Sequence, residues 1–158
     1  MKRIFWVIIM FVSLMAMGQS NSFLASSNKL VWENVFITND TNIQAFISRH
    51  SKLKITSADQ NIIKGNAAGI RNTCPETSVF MKDNVSFNFE IESSDGKYRV
   101  TVTNIIFTKK NAKKGTIAEN YFIKDGQILT TGTLPADLNC IDAYFNRIFN
   151  TTLYKNRQ

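Results

Sequence analysis

The chain has one histidine, two cysteines and 12 acidic residues against 19 lysines and arginines. Each shortage excludes something. His50 is the sole imidazole, and a Ser or Cys nucleophile needs a base beside it. His50 stands at the end of an apolar helical stripe, where the last turn also favours a cation, so it reads as a partly buried helix-end residue. No Gly-x-Ser-x-Gly elbow occurs. Two cysteines and one histidine, widely scattered, match no zinc spacing. The stretch "GNAAG" (65–69) fails both GxGxxG and GxxxxGK[ST]. It reads instead as a strand with a close backbone approach or a bulge. No metal or other cofactor is expected.

What is present begins at the N-terminus. Lys2 and Arg3 precede an apolar run from Ile4 to Met15, and Ala16-Met17-Gly18 sets small residues before a cut ahead of Gln19. This pattern predicts a signal peptide over residues 1–18. The run is shorter than the roughly 20 residues of a membrane-spanning helix. A cleaved signal implies a secreted or periplasmic protein and an oxidising compartment. There the two cysteines can pair within the chain in only one way, Cys74 with Cys140. Sequence leaves open whether their backbones come close enough.

The formal charge is +7, and much of the excess outside the signal lies in Lys109, Lys110, Lys113 and Lys114. Such a loop can bind nucleic acid or anionic lipid. It is short and has no aromatic residue among its lysines, so a solvated turn that keeps an edge soluble is the stronger reading.

Residues 19–28 are rich in Ser and Asn and read as a flexible lead-in. A single domain is expected over 29–155. "KLVWENVFIT" (29–38) predicts a first strand. A helix over about 41–51 follows, capped by Asp40 or Thr41, with Ile43, Phe46 and Ile47 on one face. Residues 52–70 predict two short strands around "ADQN". Residues 71–84 read as a connection with a short extended piece at Val79–Met81. Tyr121–Ile123 and Ile128–Leu129 suggest a second hairpin around Lys-Asp-Gly. Pro135 opens a last helix over 135–153, with Leu138, Ile141, Phe145, Ile148 and Phe149 along one face. Asp142, Asn146 and Asn150 point away in that pattern, and Cys140 falls outside the stripe.

The most legible stretch is "VSFNFEIESSDGKYRVTVTNIIF" (85–107). With Asp95-Gly96 as a two-residue turn, Ile91 faces Val100, Phe89 faces Val102 and Val85 faces Ile106. On the other side Glu92 meets Arg99, Glu90 meets Thr101 and Asn88 meets Thr103. Turn and pleat agree on which side is apolar. Asn104 opposite Phe87 breaks the pattern, and requires either a bulge or a polar partner at the edge of the core. The fold class is therefore α+β, an antiparallel sheet with two helices packed on one face.

Glu90 and Glu92 share a strand face about 7 Å apart, a separation that glycoside chemistry can use. Arg99 sits opposite Glu92, and an open face supplies no desolvation to raise either carboxyl, so the pair reads as solvated. That face has no aromatic residue and two acids, which argues against single-stranded nucleic acid. Trp32 lies in an apolar strand and reads as core; exposed, it would be the leading binding residue.

The "VWENVFIT" strand, a capped helix, the "LKITSADQNIIKGNAAG" pair and the "FNFEIESSDGKYRVTVTNI" hairpin together resemble a family of small exported bacterial proteins. These carry a TATA-binding-protein-like (TBP-like) domain of unknown function and are common in the Bacteroidetes. The resemblance spans roughly residues 30–153. Members often place a tryptophan in the first helix, whereas "IQAFISRH" has none. The resemblance implies an α+β fold and an envelope location, and transfers no catalytic residues. The expected function is a secreted or periplasmic, non-catalytic binding or assembly module. Its partner is an envelope or extracellular protein and not a nucleic acid, with contact to an anionic membrane left open. Its candidate binding residues are Lys109, Lys110, Lys113, Lys114, Trp32 and Asn104. The alternative is a small-ligand carrier or enzyme with a pocket between helix and sheet, where Asn104, His50 and Tyr98 would converge.

Overall fold

The computed structural model describes residues 22–39, 42–71 and 73–151. The signal expected over 1–18 lies outside them. The elements, in chain order, are β1 (Phe23–Ser26), β2 (Lys29–Ile37), α1 (Ile43–Ser48), β3 (Leu53–Ala58), β4 (Ile62–Arg71), β5 (Asn84–Ser94), β6 (Lys97–Thr108), β7 (Thr116–Ile117), α2 (Glu119–Phe122), β8 (Ile123–Lys124), β9 (Gln127–Ile128) and α3 (Leu134–Phe149), with a 3-10 turn at Val79–Lys82. The main sheet is antiparallel in the order β1-β2-β6-β5-β4-β3, with β7 beside the end of β6. The described helices, three rather than the two expected because Glu119–Phe122 adds a short one, pack on one side, and the α+β class holds.

The central hairpin forms in the expected register from Glu92↔Arg99 to Asn88↔Thr103. The register then slips by one, and Val85 faces Phe107 rather than Ile106. Asn104, at φ 53° and exposed, is the extra residue. Asparagine tolerates this left-handed conformation better than a branched residue. The bulge returns Ile105 and Phe107 to the buried side.

Two features of β4 follow from its glycines. A Cβ on Gly65 would lie 2.2 Å from Cζ of Phe89 and 2.5 Å from the Lys54 carbonyl oxygen, so the Phe89 ring lies against bare backbone. Gly69 has φ +67°, within a register shift between Ala67 and Ile70.

Several boundaries differ from expectation. Residues 23–26 of the supposed lead-in form β1, joined to β2 through Ser27 and Asn28, both at positive φ. The cap of α1 is Asn42, whose Oδ1 accepts the Ala45 N–H at 2.9 Å, and the helix stops at Ser48. Val79–Met81 belongs to the 3-10 turn rather than an extended piece. The second hairpin shrinks to two-residue strands, because Glu119–Phe122 closes a helical turn first.

The core is aromatic. Phe145 of α3 packs 5.2 Å from Trp32 and 4.9 Å from Phe87, and Phe149 lies 5.6 Å from Phe89. A second cluster joins Phe80, Phe107, Tyr121 and Phe122, with Phe80 stacked 3.9 Å from Tyr121. All five residues of the expected α3 stripe are buried. Asp142 and Asn146 do not point away. Trp32 Nε1–H donates to Asp142 Oδ1 at 2.7 Å, Asn146 Nδ2 donates to Asp142 Oδ2 at 2.9 Å, and Asn34 Nδ2 donates to Asn146 Oδ1 at 2.6 Å. This chain of bonds ties α3 to β2.

Candidate binding surfaces

Cys74 and Cys140 form a disulfide with Cα atoms 6.2 Å apart. Cys140 is buried on the core side of α3 rather than outside its stripe. One turn earlier, Asp137 is fully buried and accepts the Ser78 N–H at 2.8 Å and the Ser78 hydroxyl. Segment 73–78 is thus fastened to α3 twice.

The structure does not bring the expected pocket residues together. Trp32 is fully buried and spends its N–H on Asp142, so it is core and not a binding residue. Asn104 stands on the exposed bulge. Tyr98 is fully buried; its hydroxyl donates to the Phe149 carbonyl at 2.5 Å and accepts the Thr151 N–H at 3.2 Å. His50 is half-buried just beyond α1, and its Nδ1 accepts the Lys52 N–H at 3.3 Å. Burial lowers its pKa from 6.5, Arg147 adds to that effect, and a backbone hydrogen bond opposes it. The slot between α3 and the sheet, lined by Ile70, Met81, Val85, Ile141 and Phe145, measures about 20 Å³, room for little more than a water.

Among the described residues, the opposite face of the sheet carries no helix. Its centre is polar and self-paired: Lys64 Nζ lies 2.8 Å from Glu90, and Arg99 is paired with Glu92. The hydrogen bond that Lys64 donates to Glu90 raises the Lys64 pKa, as the one Arg99 donates to Glu92 raises that of Arg99. The β2 side of the face differs from the hairpin. Leu24 of β1 and Val35 and Ile37 of β2 are 53%, 51% and 83% exposed, a stripe broken by Glu33. Arg99 stands across from Val35, and Lys97 across from Ile37. This stripe was legible, since Val35 and Ile37 alternate with Trp32, Asn34 and Phe36.

At the end of the sheet near Gly96, the β2–α1, β3–β4 and β5–β6 turns enclose an open polar cleft of about 780 Å³. Gln44, Gln60, Asn61, Ser94 and Lys97 are among its walls, and Ile43 and Ile63 are among its other lining residues. Ser93 N–H donating to the Asn61 carbonyl at 2.8 Å and Thr38 N–H donating to the Gly96 carbonyl at 3.0 Å brace it. At the other end of the sheet Lys109, Lys110, Lys113 and Lys114 are all exposed. Among the described residues, no group of three or more His, Cys, Asp or Glu side chains is gathered as a metal would need.

A solved structure of a TBP-like protein from Parabacteroides distasonis superposes with a TM-score of 0.50 at 16% identity, over 78% of this chain and 92% of that one. The fold is TBP-like. A DUF4468 family protein from Bacteroides ovatus aligns at a TM-score of 0.47 and 16% identity, over 82% of this chain and 91% of that chain. No family model matches the chain, and no curated protein matches it. The TBP-like α+β architecture implied by the sequence resemblance therefore stands, and identity this low speaks for the fold alone.

Proposed function

We propose that this TBP-like chain is a non-catalytic binding module of an exported compartment. It holds an apolar, acid-flanked protein segment against the β2 side of its open sheet face. The observation that carries this is the stripe of Leu24, Val35 and Ile37, left uncovered beside two cations. Exposed apolar side chains gathered on one face and rimmed by polar residues are what docking sites offer. Lys97 has no ion-pair partner among the described residues, so an acidic side chain next to an apolar one fits the margin. The disulfide and the N-terminal pattern support export.

A photo-crosslinking amino acid at position 35, compared with position 66 across the same face, tests the reading. The expected adduct forms at 35, weakens on Ile37→Lys, and maps by mass spectrometry to a segment with apolar residues next to Asp or Glu. No adduct, or equal adducts at both positions, overturns it. The cleft near Gly96 favours a second reading, a small polar ligand. Shifts of the Gln60 and Asn61 side-chain amide resonances on adding maltotriose or chitotriose would support that reading; unmoved resonances with both sugars would remove it.

A further inference from the structure

At the end of the sheet away from Gly96, the fold collects cations that are far apart in sequence. Arg71 ends β4, Asn84 begins β5 and Thr108 ends β6, and the register sets Arg71 against Asn84 and Asn84 against Thr108. Arg71 and Lys109 therefore leave the sheet about two strand spacings apart, roughly 10 Å. Lys109, Lys110, Lys113 and Lys114 follow in the β6–β7 loop, and Lys82 closes the 3-10 turn that leads into β5. All six side chains are exposed, and neither ion pair of the described residues uses any of them. The acids nearest in sequence are Asp83, Glu76 and Glu119.

Exposed apolar residues belong to the same end, Val79 and, beside the end of β6, Ile117. Val79 is 82% exposed, while its neighbour Phe80 is pinned between Phe107, at 5.1 Å, and Tyr121, at 3.9 Å. Val79 is thus held outward on a rigid support close to the strand end that launches the lysine loop. An isolated solvated turn would not need an apolar residue displayed beside it, nor cations contributed from three separate segments. A small free anion would need an enclosed cradle, and these cations are open and spread out. Cations around a projecting apolar side chain match a bilayer interface instead, where headgroup charge attracts and an apolar group inserts.

We infer that this end of the sheet is a peripheral contact for an anionic phospholipid surface. The test is sedimentation with vesicles of phosphatidylglycerol and phosphatidylethanolamine, against vesicles of phosphatidylcholine alone. The purified chain is compared with a variant carrying Lys→Gln at 109, 110, 113 and 114. Partitioning onto phosphatidylcholine alone measures whatever the apolar segment 4–15 contributes where it is retained, and is subtracted for both proteins. The expected result is preference for the anionic vesicles, weakened by salt. The four substitutions should lower partitioning about a hundredfold or more at low salt. Val79→Asn should weaken binding by several-fold and leave its salt dependence in place.

Equal partitioning of the two proteins overturns the inference, as does indifference to vesicle charge. Competition by inositol hexakisphosphate at matched phosphate concentration would also overturn it in favour of a free-anion site. Tighter binding to single-stranded DNA than to vesicles would do so in favour of nucleic acid. The exposed positions chosen leave the core untouched, and matching thermal melts of the variants check that.

Discussion

Opening the Cys74–Cys140 bridge should lower the free energy of unfolding by about 4 kcal/mol. The bridge closes a loop of 66 residues, and the entropy that such a cross-link removes from the unfolded chain corresponds to about 4 kcal/mol at 25 °C. The native state should survive the loss. Ser78 remains bonded to the buried Asp137 through its N–H and its hydroxyl, so segment 73–78 keeps its place on α3. Urea unfolding followed by Trp32 fluorescence, with and without reductant, measures the difference. A Cys74→Ala/Cys140→Ala double variant repeats it without reductant, and its melting temperature should fall by roughly 10 °C or more. The mechanism has its own check. If the bridge acts on the unfolded chain, Ser78→Ala should cost the same, about 1–3 kcal/mol, whether the bridge is open or closed. A difference between reduced and oxidised protein below about 1 kcal/mol would refute the entropic argument. A reduced protein that has lost its near-ultraviolet dichroism would refute the claim that Asp137 holds the segment alone.

Gly65→Ala should destabilise by about 1–3 kcal/mol, because the new methyl would meet both the Phe89 ring and the Lys54 carbonyl; a thermal melt equal to the parent's would contradict the packing described. Tyr98→Phe removes the donor to the Phe149 carbonyl and the acceptor of the Thr151 N–H, and should cost about 1–3 kcal/mol in chemical denaturation. His50 has a folded pKa below its unfolded value near 6.5, so the unfolded chain binds more protons and stability falls as pH drops through 6.5. His50→Gln should flatten that part of the stability–pH curve, and an unchanged slope would assign it to other groups.

The central hairpin was legible because two independent signals coincide there: the Asp95-Gly96 turn and an apolar alternation running into it from both sides. Even its defect was visible, since Asn104 is the residue that breaks the alternation and the residue that bulges. The β1–β2 hairpin was hidden because its turn is Ser27-Asn28, without a glycine, and asparagine supplies positive φ less conspicuously. The inward turn of Asp142 and Asn146 was hidden for a different reason. Helical periodicity sorts apolar from polar residues, yet a polar residue beside Trp32 can face inward when the indole N–H needs an acceptor. Asp137 escaped in the same way, because its partner Ser78 lies in a loop of no regular pattern. The apolar stripe of β2 was written plainly but overshadowed by the polar face of its neighbours β5 and β6. The basic end was half visible: four lysines fall within residues 109–114, whereas Arg71 joins them through strand register and Lys82 and Val79 through the 3-10 turn.

The two proposed surfaces place opposite demands on charge, and their separation decides whether one molecule can carry both. An acid-flanked segment would be repelled by an anionic bilayer if its site lay near the headgroups. Along β6, however, Arg99 and Thr108 are separated by a strand rise of roughly 30 Å. At physiological ionic strength the Debye length is about 8 Å, so the surface potential at Val35 and Ile37 would be attenuated by a factor of about forty. Between them the open face carries paired charges, Lys64 with Glu90 and Arg99 with Glu92, which favour neither partner over the other. A chain resting on lipid through the lysine loop would therefore present Val35 and Ile37 outward, at the end of a rigid sheet and beyond the reach of the charge that holds it down.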